Sequence, residues 1–254
     1  MTTQLTFEDV TVLDSVDSTN DAVKRRLETG GTTPFVVAAR EQTKGRGRSG
    51  RAWASQPGNL AVTFFYPFDG SHQAAARLSF SVSLAVREAL LQLAPGSDVG
   101  IKWPNDVLMN GKKICGILLE NLGQDADGKL RLLIGIGLNL VHHPAPQDSN
   151  WPATSIFAET DKVTSFEQAL SAVTISVTTQ LHSEARMGFA KTRSEWLEHA
   201  IRLGKTISVR LPTTEWTGVF RDIDENGALV LETASGVRTV TAGDVFFPED
   251  VECS

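Results

Sequence analysis

Only two cysteines occur in the 254 residues, Cys115 within Lys-Lys-Ile-Cys-Gly-Ile-Leu and Cys253 beside the C-terminus. Two are too few for a disulfide framework or a cysteine-held metal cluster, and neither neighbourhood marks a strong nucleophile. Their scarcity agrees with a reducing compartment. Long apolar runs are also missing: none approaches the ~18 uninterrupted apolar residues expected of a membrane span. The opening Met1–Val10 has neither the basic cluster nor the apolar stretch of a signal peptide. A cytoplasmic protein without membrane contact is therefore expected. There is no excess of positive charge, since 24 Lys and Arg face 30 Asp and Glu for a net of −6, which argues against a general nucleic-acid binder. Repeats and low-complexity segments are absent. With 41% hydrophobic residues, the chain can support one large core, or a catalytic domain with a small appendage.

The charge is unevenly spread. Arg40, Lys44, Arg46, Arg48 and Arg51 are opposed over that stretch only by Glu41, a cationic excess that calls for an anionic partner. Gly45, Gly47 and Gly50 interleave with the arginines. Glycines let backbone N–H groups approach an oxyanion, and guanidinium forks match phosphate or carboxylate. The segment follows a strand instead of opening a helix, so it is neither a P-loop nor a dinucleotide fingerprint. Taken alone it suits a small polyanionic ligand or a flexible, solvated basic loop. Its glycines and mutually repelling charges predict disorder when no ligand is bound.

Strands are expected over Val10–Val16, Phe35–Gln42 and Asn59–Tyr66, and a capped helix from Asp17-Ser18-Thr19-Asn20 to Leu27. Leu78, Val82, Ala85, Val86, Ala89, Leu90 and Leu93 follow helical spacing over His72–Leu93. Strand-like runs come next around Gly100–Trp103, Ile114–Asn121 and Leu130–Leu140, the last two joined as a hairpin over Gly123–Lys129. A Pro-rich loop, His143–Pro152, precedes one helical region from Ser165 to about His199. From Lys205 to Val245 short β-rich runs separated by turns have the pattern of a small barrel, and a boundary is placed near residue 203.

Four further segments carry chemistry. Lys102-Trp103-Pro104-Asn105-Asp106 sets a Lys, an amide and a carboxylate around a proline-fixed bend; alone, it is also readable as an Asx-capped turn. Lys113, three residues before Gly116 in Lys-Ile-Cys-Gly-Ile-Leu, begins an apolar strand. There it is either a fixed positive charge beside anions or an edge lysine reaching to water. Gly135 and Gly137 before Asn139 mark close backbone approach or tight strand packing. Ser18-Thr19-Asn20 stands at the start of the first helix.

Each segment is weak alone, but their order, Ser18-Thr19-Asn20, the Gly/Arg loop ending in Trp53, Lys102–Asp106, Lys113–Leu118 and Gly135–Asn139, resembles the biotin–protein ligase family over essentially the whole chain. Ser49 stands where a basic residue is common, and Leu138 replaces a usual isoleucine. Trp196, Gly204 and Gly243-Asp244-Val245 also fit. The resemblance implies an α+β fold: a mixed-sheet catalytic domain packed with helices, residues 1–203, then an SH3-like β-barrel, residues 204–254. It implies that biotin is activated with ATP and Mg²⁺ as biotinyl-5'-AMP and transferred to a lysine of the biotin carboxyl carrier domain of an acyl-CoA carboxylase. It assigns Ser18, Thr19, Asn20, Gln42, Gly45, Arg46, Lys113 and Gly116 to biotin. Arg48, Arg51, Trp53, Lys102, Asn105, Asn139 and Trp151 fall to ATP and the adenylate, and Lys113, Arg48, Arg51 and Asp106 to catalysis.

No metal ligand is implied beyond Mg²⁺ carried by the ATP phosphates. Some relatives carry an N-terminal winged helix-turn-helix; this sequence starts at the catalytic region, so no DNA binding is expected. Some place an arginine after the Gly-Asp-Val stretch, whereas Phe246–Asp250 is acidic here, which leaves direct nucleotide contact from the small domain undecided. Related enzymes often dimerise side by side through the sheet, and a homodimer is compatible with the sequence. A lipoate or octanoate ligase, the nearest rival, differs at the phosphate loop and lacks the Lys102–Asp106 pattern. A non-catalytic sensor would be expected to have lost a site cation, and all are present. A nucleic-acid reader would need aromatics between the basic residues of the loop, where none lie.

Overall fold

The computed structural model describes residues 6–7, 9–145, 151–211 and 213–247. A seven-stranded mixed sheet runs in the order β1 (Val10–Leu13), β2 (Phe35–Ala39), β3 (Leu60–Phe68), β7 (Leu130–Leu138), β6 (Lys112–Gln124), β5 (Asp106–Met109) and β4 (Val99–Lys102). β1 and β2 are parallel; every other neighbouring pair is antiparallel. The middle strands are apolar on both faces because both are covered. Helices α2 (His72–Leu93) and α4 (Phe166–Met187) bury Val82, Val86, Leu90 and Val173 against Val62, Phe64, Ile134 and Ile136. On the opposite face α1 (Thr19–Glu28) packs Val23 over Phe35, Phe65 and Leu133. No helix among the described residues is long and apolar enough to cross a membrane.

Two expectations need correction. The helical region from Ser165 is broken at Gly188, whose φ of 75° lies outside the helical range, into α4 and α5 (Phe189–Glu198). A short α3 (Ile156–Thr160) precedes them, capped by the Ser155 hydroxyl accepting from Ala158 N–H. The bend at Trp103–Asn105 does join two strands as expected, but the second is a strand the sequence did not show, β5, which opens at Asp106 and folds back on β4 with Lys102 opposite Asp106. The first two strands are shorter than expected and end near an isolated bridge between Val16 and Gln42. Part of the Pro-rich loop, residues 146–150, and Cys253 lie outside the described residues.

The C-terminal segment forms β8 (Thr206–Arg210), β9 (Glu215–Ile223), β10 (Leu229–Thr233), β11 (Gly236–Val240) and β12 (Asp244–Phe246), all antiparallel, in the order β11-β10-β9-β8-β12. Among the described residues no hydrogen-bonded pairing of β11 with β12 closes this sheet into a barrel. Its apolar face continues into the rest of the molecule: Ile207, Phe220, Leu231 and Val245 share one cluster with Phe80, Ile101, Trp103, Phe189 and Trp196. Trp103 Nε1 donates to Gly227 O at 3.0 Å, and Trp196 Nε1 to Ser83 Oγ at 3.1 Å. Trp196 is fully buried, so Trp196→Ala is expected to destabilise the protein by about 3–5 kcal/mol. Chemical denaturation checks this; a loss below about 1 kcal/mol would contradict a central packing role.

Candidate functional site

A cavity of about 420 Å³ opens where α1, the Gly/Arg loop, the β4–β5 turn and the middle of β6 and β7 converge. Its floor is made possible by glycine. Gly116 on β6 lies opposite Gly137 on β7. A Cβ at Gly137 would stand 2.3 Å from the Trp53 ring, one at Gly116 2.9 Å from it, and one at Gly135 2.7 Å from Asn20 Oδ1. The strand glycines thus let an indole lie against the sheet, and Trp53 lines the cavity.

One end of the cavity is polar and charge-balanced, since Arg46 there is paired with Asp21. Ser18, Thr19 and Asn20 are buried at the start of α1. Gln42 Oε1 accepts from Thr19 N at 2.8 Å and from the Thr19 hydroxyl at 3.0 Å. Asn20 Nδ2 donates to Glu120 at 2.5 Å.

The other end is cationic. Lys113 Nζ lies 2.7 Å from Asp106 Oδ1, and Lys102 Nζ lies 3.8 Å from Asp106 Oδ2 and 4.5 Å from the centre of the Trp151 ring. One carboxylate therefore faces two ammonium groups. Burial pushes the Lys102 ammonium below the ordinary lysine range, against the opposing pull of Asp106. Lys113 Nζ is 5.6 Å from the Trp53 ring centre, so it stands between the apolar floor and the cationic end. Asn139 Nδ2 donates to Thr154 O at 2.9 Å, which fixes the amide orientation, and its Oδ1 is buried with no partner. A ligand donor would satisfy that acceptor.

The charges of the Gly/Arg loop, which in the sequence face one another without opposition, are compensated in the fold. Arg46 makes a two-pronged pair with Asp21, Arg51 does the same with Asp244, and Arg48 donates to Asn105 Oδ1 at 3.1 Å. Backbone bonds close it, Gly47 N to Arg51 O at 2.7 Å and Trp53 N to Gly45 O at 2.9 Å. Ser49 and Gly50 turn the chain with φ of 56° and 74°. A Cβ at Gly45 would come within 2.5 Å of Trp53 O.

Every residue expected at the site lines this cavity except Gly45, whose part is to let the loop close behind it. Asp244, Val245 and Phe246 of the C-terminal sheet also line it, so this segment reaches the cavity, a question the sequence had left open. Burial raises the Asp244 carboxyl, but its hydrogen bond and ion pair with Arg51, with Lys102 and Arg48 nearby, outweigh that and hold it below the usual carboxylate range. The signal was present as Gly243-Asp244-Val245; the acidic residues after it concealed that Asp244 pairs with Arg51. Cys115 is fully buried, and that burial pushes its thiol well above the ordinary range, so it is no nucleophile. Among the described residues no three His, Cys, Asp or Glu side chains gather to hold a metal by themselves.

Comparison with known proteins gives this geometry a family. Residues 12–139 match the model of the biotin/lipoate A/B protein ligase family, and residues 203–247 that of the biotin protein ligase C terminal domain. The chain is 40% identical over 240 residues to the biotin–[acetyl-CoA-carboxylase] ligase of Paracoccus denitrificans, covering 93% of this chain and 99% of that one. Among solved structures, the biotin protein ligase of Aquifex aeolicus in complex with biotin and ATP superposes with a TM-score of 0.78 at 27% identity, covering 94% of this chain and 98% of that one. The Leishmania major enzyme in complex with biotinyl-5-AMP gives 0.66 at 27%, covering 92% and 99%. This chain belongs to the biotin/lipoate A/B protein ligase family.

Proposed function

We infer that the chain is an ATP-dependent biotin–protein ligase whose two half-reactions use the cavity just described. The carrying observation is the cavity's division: a charge-balanced hydrogen-bonding end, an apolar floor of strand glycines under Trp53, and a cationic end at Lys113. Biotin has the same order of parts, a cyclic urea, an apolar ring and chain, and a carboxylate. In this reading Ser18, Thr19, Asn20 and Gln42 receive the urea, and Gly116 and Trp53 flank the ring system. Arg46 and Gly45 hold the covering loop, and Lys113 meets the carboxylate.

In the first half-reaction a carboxylate oxygen of biotin bonds to the α-phosphorus of ATP and pyrophosphate leaves, giving a mixed anhydride. Two unit negative charges ~4 Å apart repel by about 4 kcal/mol at an effective dielectric near 20. Lys113, Lys102, Arg48 and Arg51 oppose that repulsion. Asp106 pairs with Lys113, and the incoming carboxylate takes its place at the ammonium. The buried Oδ1 of Asn139 suits the exocyclic amine of adenine, beside Trp151. Asp106 and Asp244, the carboxylates lining the cavity, are already paired with Lys113, Lys102 and Arg51, so Mg²⁺ is expected on the phosphate oxygens of ATP. Bound there, the ion would neutralise phosphate charge.

In the second half-reaction the neutral amine of an acceptor lysine attacks the acyl carbon, an amide forms, and AMP leaves. Asp106, released from Lys113, orients that amine and takes its proton. Asn105 supports the loop above through Arg48. Closure of the loop protects the anhydride from water. The acceptor is a biotin carboxyl carrier domain of an acyl-CoA carboxylase, supported by the name of the Paracoccus relative, and a cytoplasmic setting belongs to the same proposal. A catalytic unit over 1–203 and an appended unit over 204–254 form part of the same proposal, supported by the start of the second family match at residue 203. A homodimer would pair through β1, the edge of the large sheet, where Val10 and Val12 are exposed.

The test is incubation of the protein with ATP, Mg²⁺ and either biotin or lipoate, following pyrophosphate and the mass of an added carrier domain. One biotinyl group gained on the carrier is expected. Turnover with lipoate and none with biotin would overturn the reading.

A further inference from the structure

Thr63, in the middle of β3, does not line the cavity, and its side chain is fully buried. Its hydroxyl lies 2.6 Å from Asn20 Oδ1 and 2.8 Å from the Thr19 hydroxyl. A hydroxyl has one proton, so Thr63 donates to only one of these. The far end of the chain of contacts decides which. Asn20 Nδ2 lies 2.5 Å from Glu120, whose other oxygen is 3.2 Å from Lys24 Nζ. A carboxylate can only accept, so the Asn20 amide cannot turn round, and the atom it shows Thr63 is its oxygen. Thr63 therefore donates to Asn20 and offers Thr19 only a lone pair.

The other neighbour of the Thr19 hydroxyl is equally fixed. Gln42 Oε1 accepts the Thr19 backbone N–H at 2.8 Å, so it is the oxygen that stands 3.0 Å from the Thr19 hydroxyl. Both protein neighbours of that hydroxyl accept, its single proton is consumed inside the protein, and only lone pairs face the cavity. We infer that Thr63, Asn20 and Glu120 form a polarity relay that makes Thr19 an obligate acceptor, selecting a ligand N–H over an ether or carbonyl oxygen at this point. The inference rests on the biotin reading above, in which the ligand here is a cyclic urea with two N–H groups. Thr63 is a positioning residue: it sets the direction of a hydrogen bond that it does not make to the ligand.

The experiment measures, by calorimetry on the full chain, binding of biotin and of the two cyclic carbamates in which one or the other ureido N–H is replaced by oxygen. The unaltered protein is expected to prefer biotin over at least one carbamate by about tenfold or more, the effect of facing an acceptor with an acceptor. Thr63→Val keeps the shape, removes the hydroxyl, and is expected to shrink that preference severalfold; Thr63→Ser should retain it. Glu120→Gln, which lets the Asn20 amide turn, should shrink it in the same direction and serves if Thr63→Val does not fold. Equal loss of affinity for biotin and carbamates in both variants would overturn the relay while leaving the biotin reading intact. Absence of biotin binding by the unaltered protein would overturn the reading of the cavity and the relay with it.

Discussion

Lys113→Ala is expected to slow biotin-dependent pyrophosphate formation by about a hundred- to a thousandfold, the usual consequence of removing one preorganised group facing developing charge. Lys113 Nζ is 2.7 Å from Asp106, and without it Asp106 keeps only Lys102, 3.8 Å away. The biotin carboxylate would then meet an under-compensated carboxylate in a confined site. Loss should appear in both kcat and the KM for biotin, because the ammonium contacts the carboxylate before and during attack. An unchanged rate of pyrophosphate release would rule out the proposed role. In Asp106→Asn transfer to the carrier should fall further than pyrophosphate formation. Equal falls would place Asp106 with the nucleotide or metal in both steps.

Gly137→Val is expected to weaken biotin binding by about a hundredfold while leaving the fold intact, since a displacement of about 1 Å at a site can have that effect. A Cβ there would lie 2.3 Å from Trp53 Nε1, and no rotamer of residue 137 relieves a clash made by its first side-chain atom. The Trp53 backbone is itself fixed by its amide N–H donating to Gly45 O, so the indole must tilt into the cavity instead of retreating with the backbone. Circular dichroism and thermal unfolding should show little change, with biotin affinity carrying the loss. Retained affinity would mean that the indole does not border the biotin site.

Much of the site was legible before any fold was known because its polar residues lie in short contiguous segments, each punctuated by glycine or proline. What the sequence could not show was which segments face each other. Lys102 and Asp106 straddle a turn tight enough that the strand after it, β5, is only four residues long, too short for periodicity to reveal. Gly188 inside an otherwise helical pattern gave no sign of whether it would bend or break the helix. The pairing of Arg51 with Asp244 joins residues far apart in the chain and follows from packing alone. The loop's own charges repel one another, and their compensation comes from Asp21 and Asp244, outside the segment.

The apolar cluster that joins Ile207, Phe220 and Leu231 to Phe80, Trp103 and Trp196 has a thermodynamic consequence. Neither the C-terminal sheet nor the helices beneath it can open without exposing the other's aromatic face. Scanning calorimetry should therefore record a single endotherm instead of two, with equal calorimetric and van't Hoff enthalpies. A gene truncated near codon 203 should yield a sticky, partly molten product in place of a smaller working enzyme, however cleanly the chain divides on paper.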